Sequence, residues 1–420
     1  MSDWTMTKLG DISTIITGPF GSQLHQSDYV SDGVPIVMPQ DITDRKINYT
    51  SINYISEYDA HRLNRYITQK NDILYARRGD IEKHAFITSE DSGVYCGTGC
   101  LRVRITSEDV DPLFLSFYLN REETKRWLVT HAVGSNMPNL NTEILSNVPI
   151  SYPTIDRQKR IAHILNCLDK KITTNRKIND NLENQIQTIY DYWFSQFDFP
   201  DSDGNPYKSN GGLLEWNETL KRNIPSSWSV GSVAKNSLTK FIKPGVDVFE
   251  LKTYLATADV KGSAIYEGTV IDYENRESRA NMQPTEYSVW FAKMKNSIKH
   301  LYFNPEMYPI IEQSILSTGF CGLQCDDKSF EYISSYIASP YFELHKDMLA
   351  HGATQEAVNN NDLAEIHLLI PDKNTLEKYH KATQPIYAQI AKNICENKEL
   401  TKLRDWLLPM LMNGQAIIED

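Results

Sequence analysis

The sequence predicts an α+β chain made of two similar globular domains and two long helices that pair antiparallel as a coiled coil, a pseudo-two-fold internal duplication. Three observations carry this. The chain repeats itself once, each copy is a series of short β-branched and aromatic runs cut by turn residues, and each copy ends in a heptad seam with asparagines at matched positions.

The repeat comes first because it fixes everything after it. A shift of 218 positions carries Pro153 to Pro371 (371 minus 153), and the same shift carries Asp41 to Asp259, Gly134 to Gly352, Asn141 to Asn359 and Leu145 to Leu363. Shifts changed only by small insertions bring Trp4 to Trp228, Gly21 to Gly245, Tyr75-Ala76 to Phe291-Ala292 and Thr98-Gly99 to Thr318-Gly319. Their common order along the chain identifies a diverged tandem duplication. Within a copy, Val34-Pro35-Ile36-Val37-Met38, Asp72-Ile73-Leu74-Tyr75-Ala76 and Leu101-Arg102-Val103-Arg104-Ile105 read as strands. Residues 112–119 and 332–337 read as short helices, so each copy is a mixed α+β domain that ends near Pro153 or Pro371.

From Asp156 to about Phe197 there is no proline or glycine, and a stripe recurs at gaps of three and four: Ile161, Leu165, Leu168, Ile172, Asn175, Asn179, Leu182, Ile186, Ile189, Trp193. The repeat shift gives Tyr379, Thr383, Ile386, Ile390, Asn393, Asn397, Leu400, Arg404, Leu407 and Leu411. Asparagine on an apolar stripe weakens the seam and fixes its register, because its amide needs a partner across the interface. An antiparallel pairing sets Asn175 against Asn397 and Asn179 against Asn393, with Ile172 by Leu400, Leu182 by Ile390 and Ile186 by Ile386. Leu168 against Arg404 and Ile189 against Thr383 match poorly, and those positions are expected toward exposed or partner-covered parts of the stripe. A helix of about forty residues is roughly 60 Å long, so the expected pair is a rigid rod with one domain at each end. The competing reading is two unrelated amphipathic helices, each packed on its own domain.

The 420 residues suit two or three domains, and 40% hydrophobic with 23% charged residues is ordinary globular composition. No run approaches the roughly 20 apolar residues of a membrane span, and the polar start Met1-Ser2-Asp3-Trp4 differs from a signal peptide, so a cytoplasmic protein is expected. Six sparse cysteines fit a reducing compartment. A net charge of −11 argues against coating nucleic acid unaided, unless basic groups gather on one face or a partner supplies phosphate contacts.

The stretches Gly18-Pro19-Phe20-Gly21-Ser22-Gln23-Leu24, Val34 to Ile42, Ala76-Arg77-Arg78-Gly79-Asp80 and Ile155 to Ala162 resemble recurring phrases of one family. That family is the specificity subunits of type I restriction-modification enzymes, and the segment from Phe197 to Ser209 is similar to its connector after the central helix. The resemblance covers essentially the whole chain. It implies target-recognition domains at 1–155 and 226–373, a central helix at 156–198, a linker at 199–225 and a distal helix at 374–418. It also implies a non-catalytic subunit that reads a split sequence on double-stranded DNA and binds no cofactor itself. Two methyltransferase subunits would dock on it and methylate adenine with S-adenosylmethionine, and motor-nuclease subunits using ATP and Mg would join them.

Reading bases takes Arg or Lys on guanine and Asn or Gln on adenine, while further basic groups hold phosphates. In the first domain the candidates are Arg77, Arg78, Lys83 and His84 after one strand and Gln40, Arg45 and Lys46 after another. Ser22, Gln23 and His25 follow a glycine turn, and Arg62 and Arg65 lie on a short helix; solvated surface is the alternative for each group. In the second domain the matching turn offers Lys293, Lys295, Lys299 and His300, joined by Arg276 and Arg279. Here Trp290 to Lys295 stands where the first domain has its Arg-Arg-Gly-Asp run. The polar loops at 135–141 and 353–359 read as domain-closing structure or partner surface.

Three catalytic patterns are incomplete or absent. Asn304-Pro305-Glu306-Met307 lacks the companion cofactor loop of an adenine methyltransferase, Glu123-Thr124-Lys125 sits on a helix surface, and there is no phosphate-binding Gly-x4-Gly-Lys loop. The pairs Cys96/Cys100 and Cys321/Cys325 do not align under the repeat and fit buried strand thiols better than zinc ligands. A stand-alone DNA-modifying enzyme and a coiled-coil adaptor without DNA specificity are the alternatives.

Overall fold

A computed structural model describes residues 4–43, 45–134, 138–266, 268–352 and 355–416, with the backbone alone at Ser22. The chain forms two compact units, Met1–Lys170 with Thr401–Asp420, and Lys171–Leu400.

In the first unit one sheet runs in the order Ser13–Thr17, Cys100–Ile105, Ile73–Ala76, His84–Phe86, all antiparallel. The interior strand Ile73–Ala76 is apolar on both faces and fully buried: Ile73, Leu74 and Tyr75 separate a core under the helix Pro112–Leu119 from a second core holding Val37, Ile42 and Ala85. A second sheet has the order Tyr29–Val30, Asn53–Ile55, Val34–Val37, Tyr95–Cys96, the last pair parallel. The helix Pro112–Leu119 starts on an Asp111 cap that accepts from Phe114 N–H, with proline at its first position, where no N–H is needed. The first and last strands, Thr5–Lys8 and Pro149–Tyr152, pair antiparallel, which closes the domain just ahead of the central helix Ile155–Tyr190.

The second unit repeats this plan. Its sheet Thr239–Phe241, Phe320–Cys325, Ser288–Ala292, His300–Phe303 has the same order, and Lys252–Leu255 pairs in parallel with Ser314–Ser317 as Val34–Val37 does with Tyr95–Cys96. Ser229–Ser232 closes on His367–Ile370, and the distal helix Lys373–Met412 follows. Each copy also carries a small hairpin, Ile42–Thr43 with Lys46–Ile47 and Val260–Lys261 with Ala264–Ile265. The expected linker is folded onto this unit: Phe199 stacks on Trp228 and on Tyr207, a hairpin forms from Leu214–Asn217 and Arg222–Pro225, and Lys378 Nζ donates to Pro200 O and Asp201 O.

Within the second unit the two long helices run antiparallel. Asn175 Nδ2 donates to Asn397 Oδ1 at 3.0 Å and to Glu396 at 2.7 Å, and Asn393 Nδ2 donates to Asn179 Oδ1 at 2.7 Å. Leu182, Ile186, Ile386 and Ile390 form the apolar cluster beside them. Within the first unit the same sense holds, with Asp169 on Arg404 and Arg157 donating to Ala416 O. Thr383 departs from expectation: it is fully buried, its hydroxyl satisfied by Tyr379 O one turn back, while Trp193 packs edge-on against Tyr379 nearby. Arg404 is kept on the stripe by its ion pair with Asp169. Among the described residues no helix is long and apolar enough to cross a membrane.

Candidate nucleic-acid interface

Four loops of the first unit converge where its two sheets meet. Gly18 packs so tightly that a Cβ there would lie 2.1 Å from Gly97 O, and a Cβ on Gly99 would lie 3.1 Å from Pro39, the neighbour of Gln40. Arg77 closes the cluster: its N–H donates to Gly99 O and its carbonyl accepts from Leu140 N–H. The side chain is steered as well, Nε donating to Asn139 Oδ1 at 3.1 Å and Leu140 O at 3.2 Å, which leaves its Nη groups without a partner among the described residues. Arg78 and Gln40 are exposed beside it. A guanidinium fixed through Nε with its outer nitrogens open is suited to a bidentate acceptor such as a guanine edge or a phosphate.

Gln23 is held on the adjoining loop, accepting at Oε1 from Tyr66 OH at 2.6 Å, and its carbonyl accepts from Arg62 Nη1 at 2.7 Å. Arg62 is bonded to Asp59, Arg65 stacks on Tyr66, and His25 is exposed with its N–H on Asp28. The Ser22 side chain and residues 135–137 and 353–354 lie outside the described residues. Phe20, which sequence reasoning passed over, is 61% exposed at the tip of this loop. Its only sequence signal was an aromatic between two turn glycines.

The second unit builds an equivalent cluster. Lys293 N–H donates to Gly319 O and Val358 N–H donates to Lys293 O, the same two backbone bonds that hold Arg77. Arg279 lies against Gly319, its carbonyl accepting from Thr318 N–H. Lys295 pairs with Glu356 at 2.7 Å, and Arg276 turns back onto Tyr273.

Four candidates occupy other places. His84 is buried on the edge strand of its sheet, stacked on Tyr75 with Nε2 3.1 Å from Ser116 Oγ, and burial with Arg45 nearby lowers its pKa to about 3. It is a neutral core residue that DNA cannot reach. His300, at the matching position, is buried against Glu343 at 2.8 Å, which also pairs with the fully buried Lys346. Lys299 is drawn inward to Thr257 O. Arg45 also points inward, with its guanidinium 3.6 Å from the Phe117 ring and Nη1 2.7 Å from Asp169. Short strands place these side chains by alternation, and the sequence alone does not show which face meets a helix. Lys83 stays outside, paired with Asp80, and Lys46 is exposed.

Residues 1–184 match the model of the type I restriction modification DNA specificity domain. The specificity subunit of the type I restriction enzyme MjaIX from Methanocaldococcus jannaschii is 23% identical over 100% of this chain and 94% of its own length. The HindI specificity subunit from Haemophilus influenzae is 22% identical over 99% and 100%. The chain is thus similar over its whole length to specificity subunits of type I restriction-modification systems. A crystal structure of the S subunit from M. genitalium superposes on it with a TM-score of 0.51 at 15% identity, covering 97% of this chain and 96% of that one, so the fold is shared too. The loop clusters around Gly99 and Gly319 are therefore the candidate surfaces for DNA target recognition.

Proposed function

We propose that each of the two domains reads one half of a split sequence on double-stranded DNA, and that the chain itself performs no chemistry. The observation that carries this is the repetition of one specificity-domain plan, each copy ending a strand in a cation, Arg77 or Lys293, caught by the same pair of backbone bonds. Two copies of one reading device on one chain suit a target of two parts. Methyltransferase subunits that dock on the chain would methylate adenine with S-adenosylmethionine, and motor-nuclease subunits with ATP and Mg would extend the complex. The test is to co-express the chain with its methyltransferase subunits and map methylated adenines by sequencing. A motif of two short blocks separated by unspecified bases is expected. A contiguous motif, or turnover by the purified chain with magnesium or S-adenosylmethionine alone, would refute the reading.

A further inference from the structure

Arg45 occupies the turn of the hairpin between Ile42–Thr43 and Lys46–Ile47 with φ +61°, a conformation that L side chains rarely adopt. The matching hairpin of the second domain has Gly262 (φ +59°) one position earlier, and Ser263 stands where Arg45 does. An arginine in this left-handed conformation calls for a reason, and its side chain supplies one. Only 10% exposed, it donates through Nε to Ser116 Oγ at 3.0 Å and through Nη1 to Asp169 of the central helix at 2.7 Å. The other oxygen of Asp169 takes Arg404 of the distal helix at 3.1 Å. Burial pulls the Arg45 pKa down to about 10 despite Asp169. Buried ion pairs of this kind add little stability over apolar packing, so their best-supported use is to fix geometry.

The second hairpin is tied to the central helix by unrelated chemistry. Ser263 Oγ donates to Glu183, and Arg176 lies 4.7 Å over the Tyr266 ring. Two copies thus reach the same end, a hairpin fastened to a long helix, with no residue type in common. Each hairpin directly follows a short turn that borders a loop cluster described above. Pro39–Asp41, carrying Gln40, lies against Gly99, and Thr257–Asp259 lies against Gly319 with Thr257 O holding Lys299.

We propose that Arg45, acting through Asp169 and Arg404, and Ser263, acting through Glu183, are positioning residues for target reading. They never touch DNA; they hold the Gln40 and Thr257 turns at a fixed place relative to the helices and so set how strictly each domain discriminates its half-site. The inference rests on the split-target reading given under Proposed function.

The test uses the whole complex with its methyltransferase subunits, carrying Arg45→Met, Arg45→Lys, Asp169→Asn or Ser263→Ala in turn. Methylation is measured on a library of duplexes with single mismatches in either half-site. In the unaltered complex a mismatch should lower methylation on the order of 10- to 100-fold. Arg45→Met and Asp169→Asn are expected to reduce this to a few-fold in one and the same half, and Ser263→Ala in the other half alone. Arg45→Lys, which keeps a charge for Asp169, should retain most of the discrimination. A uniform fall in methylation with both halves equally strict would reduce the ties to plain structural support and overturn the proposal, as would one substitution relaxing both halves. Should Arg45→Met fail to fold, Arg45→Lys and Ser263→Ala decide the matter by the same criterion. If the unaltered complex yields no two-part motif, the split-target reading fails before the positioning role is reached.

Discussion

Replacing Asn393 by leucine removes the amide that donates to Asn179 Oδ1 at 2.7 Å and accepts from Gln389 Nε2 at 2.8 Å. Both seam asparagines are buried, so the Asn179 oxygen left behind has no water to turn to. An orphaned buried acceptor costs about 1–3 kcal/mol, and Asn179→Leu should cost a similar amount by stranding the Asn393 N–H. The double replacement strands neither group. It puts leucine against leucine between Leu182 and Asn175, and exchanging both partners for apolar groups is commonly neutral or stabilising.

The singles should therefore be destabilised by about 2 kcal/mol each and the double should lie within about 1 kcal/mol of the parent, a coupling of at least about 3 kcal/mol. For a unit of this size 1 kcal/mol moves the melting temperature by about 2–4 °C, so each single should melt roughly 4–8 °C lower. Thermal melts followed by circular dichroism on the four proteins measure this directly. Singles as stable as the parent, or a double whose loss equals the sum of the two, would show that these amides do not depend on each other.

Three further outcomes follow from the two domains. His84 is held neutral with a pKa of about 3 against an ordinary 6.5, so its contribution to stability is complete above pH 6.5 and is lost as pH falls toward 3, when the unfolded chain takes a proton and the folded chain does not. Urea melts should lose roughly 1.5 kcal/mol between pH 6.5 and about 5, and His84→Gln should abolish that slope; an unchanged slope would mean that His84 titrates normally. Asp72→Ala removes the buried carboxylate on which Arg102 and Arg104 converge while both keep backbone carbonyl partners, and should cost about 1.5–3 kcal/mol in a denaturant melt, against under 1 kcal/mol if the carboxylate is dispensable. Arg77→Ala should weaken binding of the assembled complex to its cognate duplex by about 1–3 kcal/mol while leaving the melting temperature within a few degrees; unchanged affinity would remove Arg77 from the interface.

What the sequence revealed and what it hid divide along physical lines. The seam was legible because heptad spacing is local, and an asparagine on an apolar stripe can be satisfied in few ways, so Asn175 and Asn179 point to Asn397 and Asn393 once the helices are taken as antiparallel. Thr383 misled because a threonine hydroxyl can bond its own helix carbonyl and vanish into a core, an option that no pattern of polarity displays. Arg45, His84 and His300 misled for a different reason. Their partners Asp169, Ser116 and Glu343 lie far along the chain, and a charge near a turn reads as solvated until those partners are known. Arg77 and Lys293 kept their places because their positions follow from the strand that precedes them.

On the proposed split-target reading, one fold would serve two different half-sites through what its two copies keep and what they change. Backbone bonds are conserved between them: Gly99 O and Gly319 O take the N–H of Arg77 and Lys293, and Leu140 and Val358 donate to the carbonyls of the same residues. Side chains projecting from this frame are free to differ, because none of those bonds involves a side-chain atom. Arginine with its Nε held by Asn139 and lysine with Ala357 beside it therefore present different donors from the same backbone position. A duplicated scaffold whose rigidity resides in main-chain bonding can change what it reads by substitution without refolding. For that reason divergence is expected at these projecting side chains, while the glycines that permit close approach are expected to resist replacement: alanine at Gly18 would drive a Cβ into Gly97 O.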